Sequence, residues 1–280
     1  MKSCFKTIWY NLKQLFFYRT KRERSSITDV DGYLSVCRSA VENDGYFNNF
    51  KRMPEYKKVL EHVTEEQGRK YLDIILKQSP HYLTQFDQFR ENDRVGNPEV
   101  QHFEGHGTMS PTTLRYIKVA SDLETIFGSL RDYNIVEIGS GYGGQSKILM
   151  DIHQLNSYTY VDLPQVLKLN AKYMSKFSYP YKMNFLTDLK TLLKEYDLII
   201  SNYAFTECEK IIQKFYIDQI INKCTRGYIT CNFVGDAFNI RSFSREELIN
   251  NINKNIFFKE ERPLTHPNNC IMCWDDNESG

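Results

Sequence analysis

The sequence carries no excess of either charge: 36 Lys and Arg stand against 35 Asp and Glu, for a net charge of +1. A dedicated nucleic-acid binder is distinctly basic, so that class is set aside. A regular cysteine framework is lacking too. The seven cysteines are odd in number and scattered from Cys4 to Cys273, which argues against a disulfide scaffold and for a reducing, cytoplasmic compartment. There is no internal repeat and no low-complexity tract. Nor is there an apolar run long enough to span a bilayer. Phe5, Ile8, Trp9, Leu12, Leu15 and Phe16 fall at helical spacing, but Lys6 and Lys13 interrupt them. The stretch is shorter than the ~20 residues a transmembrane helix requires, and it has no clean apolar segment with a small-residue cleavage site. With Lys2, Arg19, Lys21, Arg22 and Arg24 around it, it reads either as a helix docked on the protein or as a basic interfacial helix in peripheral contact with an anionic membrane.

Aromatic residues, by contrast, are abundant. The 19 Tyr and 18 Phe supply an ample core and leave tyrosines over as amphipathic surface for a polar organic ligand. At 280 residues there is room for one large α/β domain with a helical appendage. Residues 1–130 read mainly helical: 53–76 sets charged faces between apolar positions, and Leu114, Ile117, Ala120, Leu123 and Phe127 form one stripe. Between them, 90–111 is rich in Gly, Asn, Pro and His and reads as a long ordered loop, a kind of segment that often carries function. From Asn134 the period changes to short apolar runs alternating with helix-length segments, as in a buried parallel sheet. Strands are expected at 135–138, 159–161, 183–185, 198–201 and 228–231. Helices are expected at 144–155, 164–176 and 209–224, with a short one from Leu189. Ser244 and Glu247 form a capping-box pattern that opens one more helix. Strands at 256–261 and 270–274 close the chain as a hairpin, which implies an antiparallel last strand in an otherwise parallel sheet.

The strongest local signal is Val136-Glu137-Ile138-Gly139-Ser140-Gly141-Tyr142-Gly143-Gly144. It follows a strand and opens a helix, the setting a nucleotide-binding glycine loop requires. Glycine lets the backbone turn sharply and lets a ligand reach main-chain N–H groups. Asp162 ends the next strand, where a carboxylate can accept from both hydroxyls of a ribose. Gly139, Gly141 and Gly144 also satisfy the dinucleotide pattern, so an NAD-dependent oxidoreductase and a ligand-free structural turn are the alternatives. Three features favour the sulfonium nucleoside S-adenosylmethionine. Glu137 is an acid suited to a cationic amino group, no second set of βα units follows Asn232, and the terminal hairpin fits a seven-stranded methyltransferase sheet. At the end of the fourth strand, Asn202 and Tyr203 should face the ligand crevice; Tyr203 or Phe205 either lies against the sulfonium or packs. Arg115 and Tyr116 fall on the preceding helix, Arg115 being suited to a bidentate hold on a carboxylate.

Further segments carry a resemblance. Asn92-Asp93-Arg94-Val95-Gly96-Asn97-Pro98, Ser110-Pro111-Thr112-Thr113-Leu114-Arg115-Tyr116, Phe127-Gly128, Asp162-Leu163-Pro164, Ser201-Asn202-Tyr203-Ala204-Phe205-Thr206-Glu207 and His266-Pro267-Asn268-Asn269 before Trp274 stand in consistent order across residues 92–274. Together they resemble the sugar O-methyltransferases, a branch of the class I S-adenosylmethionine-dependent enzymes. The first 50 or so residues carry no such likeness. The resemblance implies a Rossmann-like, mostly parallel seven-stranded sheet over 131–280 that binds the cofactor through Glu137, Gly139, Gly141, Asp162, Leu163, Asn202, Tyr203 and Arg115. The helical pattern of 1–130 is expected to form an N-terminal cap region that includes an acceptor-side loop at 90–111. The resemblance also implies methyl transfer to a sugar hydroxyl, free, nucleotide-linked or glycan-attached, as in glycan biosynthesis. A fold-keeping partner without catalysis is a further alternative.

A sugar hydroxyl is a poor nucleophile at neutral pH, so a general base is expected. His106, Glu207 and His266 are the candidates, with Asp93 a fourth. Cys270-x-x-Cys273 has half of a zinc spacing, but residues three apart on a strand face opposite ways, so no metal is expected. The oligomeric state is not legible.

Overall fold

The structure is a computed structural model that describes residues 25–186, 192 and 195–277. The basic amino-terminal segment and the short helix expected from Leu189 lie outside these residues. A seven-stranded sheet forms the centre. Its strands are β3 (Asn134–Ile138), β4 (Ser157–Val161), β5 (Lys182–Phe185), β6 (Tyr196–Asn202), β7 (Cys224–Cys231), β8 (Phe257–Glu260) and β9 (Cys270–Asp275). Their order across the sheet is β5-β4-β3-β6-β7-β9-β8, with β9 alone running against its neighbours. The Rossmann-like sheet with an antiparallel last strand is therefore present, and a two-halved all-parallel dinucleotide sheet is not.

The alternation of side chains along the central strands divides the core into two layers. Ile135, Tyr158, Tyr160, Leu198, Ile200 and Tyr228 face one way. There they meet α1 (Asp31–Glu42), α2 (Glu65–Gln78), α3 (Pro111–Phe127), α4 (Gly144–Ile152) and α5 (Pro164–Met174). Val136, Ile138, Ile199, Ile229, Met272 and Trp274 face the other way, against α6 (Lys210–Gln219) and α7 (Arg245–Asn251). The N-terminal helical region therefore shares one continuous core with the sheet. Among the described residues no helix is long and apolar enough to cross a membrane.

Several boundaries differ from the sequence reading. The 53–76 stretch is two helices, Pro54–Lys57 and α2, because Thr64 starts α2 with a reciprocal capping box to Gln67. The 90–111 loop contains a small antiparallel ribbon, β1 (Gln101–Phe103) and β2 (Gly107–Met109). The helix expected to reach residue 224 stops at Gln219, since Cys224 already pairs with Tyr196 as the first residue of β7. The Ser244–Glu247 capping box is formed.

One close contact fixes the register of the last strands. Gly227 stands opposite Trp274, and a Cβ on Gly227 would lie 2.1 Å from the indole. Trp274 is fully buried and donates to the Cys224 carbonyl at 3.3 Å. Gly227→Ala should therefore lower stability by about 1–3 kcal/mol through overpacking, read as a lower urea midpoint. A wild-type midpoint would show that the Trp274 seat is loose.

Candidate functional site

The site begins where β3 ends. Gly139 donates its N–H to the Val161 carbonyl at 2.8 Å, which carries the β3–β4 pairing into the turn. Gly139, Gly141 and Gly143 all have positive φ, at 75°, 53° and 98°, a region that side chains with a Cβ rarely adopt. Space is as restrictive as conformation: a Cβ on Gly139 would stand 2.0 Å from that of Ala204. The turn is thus enclosed by the segment after β6 on one side. On the other it meets Leu60, which approaches Gly141.

Asp162 locks this turn to the end of β4. One carboxylate oxygen accepts from Gly141 N–H at 2.9 Å and the other from Leu163 N–H at 2.7 Å. Burial raises its carboxyl to about 6, against the pull of these two N–H donors. Glu137 lies inside the sheet layer rather than facing the crevice. It is 2 % exposed, accepts from the Tyr158 hydroxyl at 2.9 Å, and is pushed by burial up to about 8.

At the carboxyl ends of β6, β7 and β8 lies a small cleft with a free volume of about 20 Å³. Tyr71 of α2 and Arg115 of α3 form one wall, Asn202, Tyr203 and Thr230 the strand ends, and Glu261 the far side. Arg115 donates to the Leu60 carbonyl at 3.2 Å. Gln145, at the start of α4, also lines the cleft. Its amide N donates to the Tyr116 carbonyl at 3.1 Å, while its Oε1 has no donor among the described residues. Asn202 accepts from Thr230 at 3.3 Å. Tyr203 has a φ of 69° and donates its hydroxyl to Glu261. A bulky residue in that region of backbone space is strained, and such strain clusters at functional sites.

The structure thus brings Arg115, Asn202 and Tyr203 to one cleft, with Gly139, Gly141, Asp162 and Leu163 at the turn between β3 and α4. The base candidates are placed elsewhere. His106 sits in the turn of the β1–β2 ribbon, its carbonyl accepting from Arg90 and its ring 6.2 Å from that of Phe86. Glu207 is turned to Asn232, which donates to it at 2.5 Å; burial raises its carboxyl. His266 is exposed, its ring accepting from Asn268 N–H at 3.3 Å. None of the three lines the cleft. Asp93 ties the loop to the start of α3, accepting from Ser110 N–H at 2.7 Å and from the Thr113 hydroxyl at 2.6 Å. Phe205 is fully buried and packs in the core, so that alternative for it holds.

Glu261 is the residue the sequence reading missed. It is 4 % exposed, and its Oε2 accepts from Thr265 N–H, the Thr265 hydroxyl and Asn269 at 2.8, 2.7 and 3.0 Å. An acid closing a strand at the carboxyl edge of the sheet was the available signal.

No protein-family model and no curated protein matches the chain. Solved structures do. N-methyltransferase NodS from Bradyrhizobium japonicum WM9, in complex with S-adenosyl-L-homocysteine, is 11 % identical over 87 % of this chain and 97 % of its own, with a TM-score of 0.42. A methyltransferase from Pyrococcus furiosus is 10 % identical over 73 % and 97 %, at 0.43. An rRNA methylase from Streptococcus thermophilus is 16 % identical over 57 % and 96 %, at 0.40. The fold itself, a Rossmann-like seven-stranded sheet of the methyltransferase type, is defined by the strand order and directions.

Because Glu261 anchors the turn that follows β8, Glu261→Ala should release it. Four donors, the Tyr203 hydroxyl among them, would lose this acceptor, which costs about 1–3 kcal/mol for each one left buried and unpaired. Amide exchange across 262–269 should rise well above that of β9. Unchanged protection there would mean the turn is held by something else.

Proposed function

We propose that the chain is a cytoplasmic S-adenosylmethionine-dependent O-methyltransferase that places a methyl group on a sugar hydroxyl. The observation that carries this is the glycine turn locked by Asp162 beside a tyrosine-lined cleft with polar groups at the strand ends. The residues present fit the cofactor. Its ribose would meet Asp162, whose oxygens each keep acceptor capacity beyond the backbone bonds. Its amino-acid end would meet Arg115 through the carboxylate and the orphaned Gln145 Oε1 through the ammonium. When bound, the cofactor supplies an electrophilic methyl on a cationic sulfur. The chain's own residues then hold the acceptor oxygen in line with it, at near ~3 Å, which is a large part of such catalysis.

The sugar reading draws on the cleft wall as well as on the resemblance. Tyr71, Tyr116, Tyr203 and Tyr228 offer flat apolar faces, while Asn202, Glu261 and Arg262 offer the donors and acceptors that hydroxyls need. The helical part up to residue 130 acts as the cap, since it supplies Leu60 over the turn and Tyr71 and Arg115 in the wall.

Calorimetry with S-adenosylmethionine and with NAD, followed by labelled-methyl transfer to a panel of hexoses and nucleoside diphosphate hexoses, tests the reading. Binding of the first alone and transfer to a member of the panel is expected; tight NAD binding overturns it. A pH dependence follows from Asp162, whose carboxyl sits at about 6 against an ordinary 3.8. The raised value favours the folded state in its protonated form, so this stabilising contribution declines as pH rises through that window. Ribose hydroxyls donate to the carboxylate, so cofactor affinity moves the other way. It should be about tenfold lower at pH 5 than at pH 7.5, one pKa unit being a factor of ten. Asp162→Asn should flatten the profile, and a flat wild-type profile would remove the ribose assignment.

A further inference from the structure

The cleft holds a carboxylate without a cationic partner. Glu261 forms no ion pair among the described residues, and the neighbouring Arg262 is paired with Glu260 at 3.1 Å. Its two oxygens are used unequally. Oε2 is saturated by Thr265 and Asn269, which fixes the side chain, whereas Oε1 receives the Tyr203 hydroxyl and nothing else. Tyr203 in turn is aimed by its backbone. Its strained φ of 69° is maintained by its N–H bond to the Thr230 carbonyl at 2.8 Å and by the tight seat of Ala204 on Gly139. The groups that share this space are Tyr71 from α2, Arg115 and Lys118 from α3, Tyr228 from β7, and Arg262. Lys118 is already paired with Asp122 at 2.5 Å, and Tyr228 donates to that same Asp122 at 2.7 Å. Neither competes for Glu261.

We propose, on the methyltransferase reading above, that Tyr203 and Glu261 form the relay that takes the proton of the acceptor hydroxyl. As the acceptor oxygen forms its bond to the methyl carbon, the carbon–sulfur bond breaks and its electron pair stays on sulfur, which becomes neutral. The hydroxyl proton passes to the Tyr203 oxygen while the Tyr203 proton passes to Glu261 Oε1. A sulfonium, an alcohol and a carboxylate become a thioether, an ether and a carboxylic acid, so atoms and charge balance. Tyr203 is the catalytic residue that touches the acceptor. Glu261 is the proton sink acting through it, and Thr265 and Asn269 hold that sink in place.

The test uses the full chain, S-adenosylmethionine labelled in the methyl group, and the hexose and nucleoside diphosphate hexose panel. Tyr203→Phe removes one hydroxyl. Glu261→Gln keeps the shape and the anchoring acceptor but cannot take a proton. Each should lower kcat by about 10²–10⁴-fold, the usual worth of a positioned base, with cofactor Kd and acceptor KM within about threefold of wild type. The double variant should be no slower than the slower single one, since two members of one relay are not additive. Singles that keep kcat, or losses that multiply in the double, overturn the relay while leaving the methyltransferase reading intact. A loss confined to KM does the same, because it marks a binding role. If Glu261→Gln fails to fold, the kcat of Tyr203→Phe decides alone. A wild-type chain that binds the cofactor and methylates nothing in the panel overturns the parent reading, and the relay with it.

Discussion

Two backbone N–H groups donating to one carboxylate organise this molecule's working edge. Asp162 holds Gly141 and Leu163 by their N–H groups, and so fixes the turn after β3 to the start of α5. Without that clamp three alternating glycines at positive φ would be a costly, disordered connection. With it, they become a rigid shelf. The clamp also carries strain of its own, since burial makes Asp162 easier to protonate than an ordinary aspartate. That tension fits the ribose contact proposed for its remaining lone pairs.

From the shelf the site spreads in two directions. Toward β6, the absence of a Cβ on Gly139 admits Ala204, and the chain reverses there through the strained Tyr203. Toward the N-terminal helices, Leu60 closes on Gly141 and Arg115 binds the Leu60 carbonyl. The cleft therefore draws one wall from helices and the other from strand ends. Below it, buried links such as Tyr228 to Asp122 tie α3 to β7, so the two walls keep a fixed spacing.

The sheet was legible because burial on both faces leaves near-continuous apolar runs such as Leu198, Ile199 and Ile200, broken by helix-length segments. The glycine turn and Asp162 were legible because left-handed backbone and a strand-end acid demand particular residue types. The Tyr203–Glu261 pair was not. His106, Glu207 and His266 have the chemistry of a base, but chemistry does not say where a loop side chain points. Glu261 was overlooked because its position depends on β9 inserting antiparallel between β7 and β8, which brings the end of β8 back beside Tyr203. Glu137 illustrates the same limit on a strand. It stands two residues before the first glycine, but the strand's alternation turns it inward to Tyr158.

We propose that a cationic nucleoside lies across the turn between β3 and α4, its sugar on Asp162 and its amino-acid end reaching Arg115 and Gln145. A crystal structure grown with S-adenosylhomocysteine tests it most directly. Ribose oxygens within hydrogen-bond distance of the Asp162 carboxylate, and the ligand's carboxylate at Arg115, are expected. A ligand bound elsewhere, or a dinucleotide taking that shelf in competition, would contradict it.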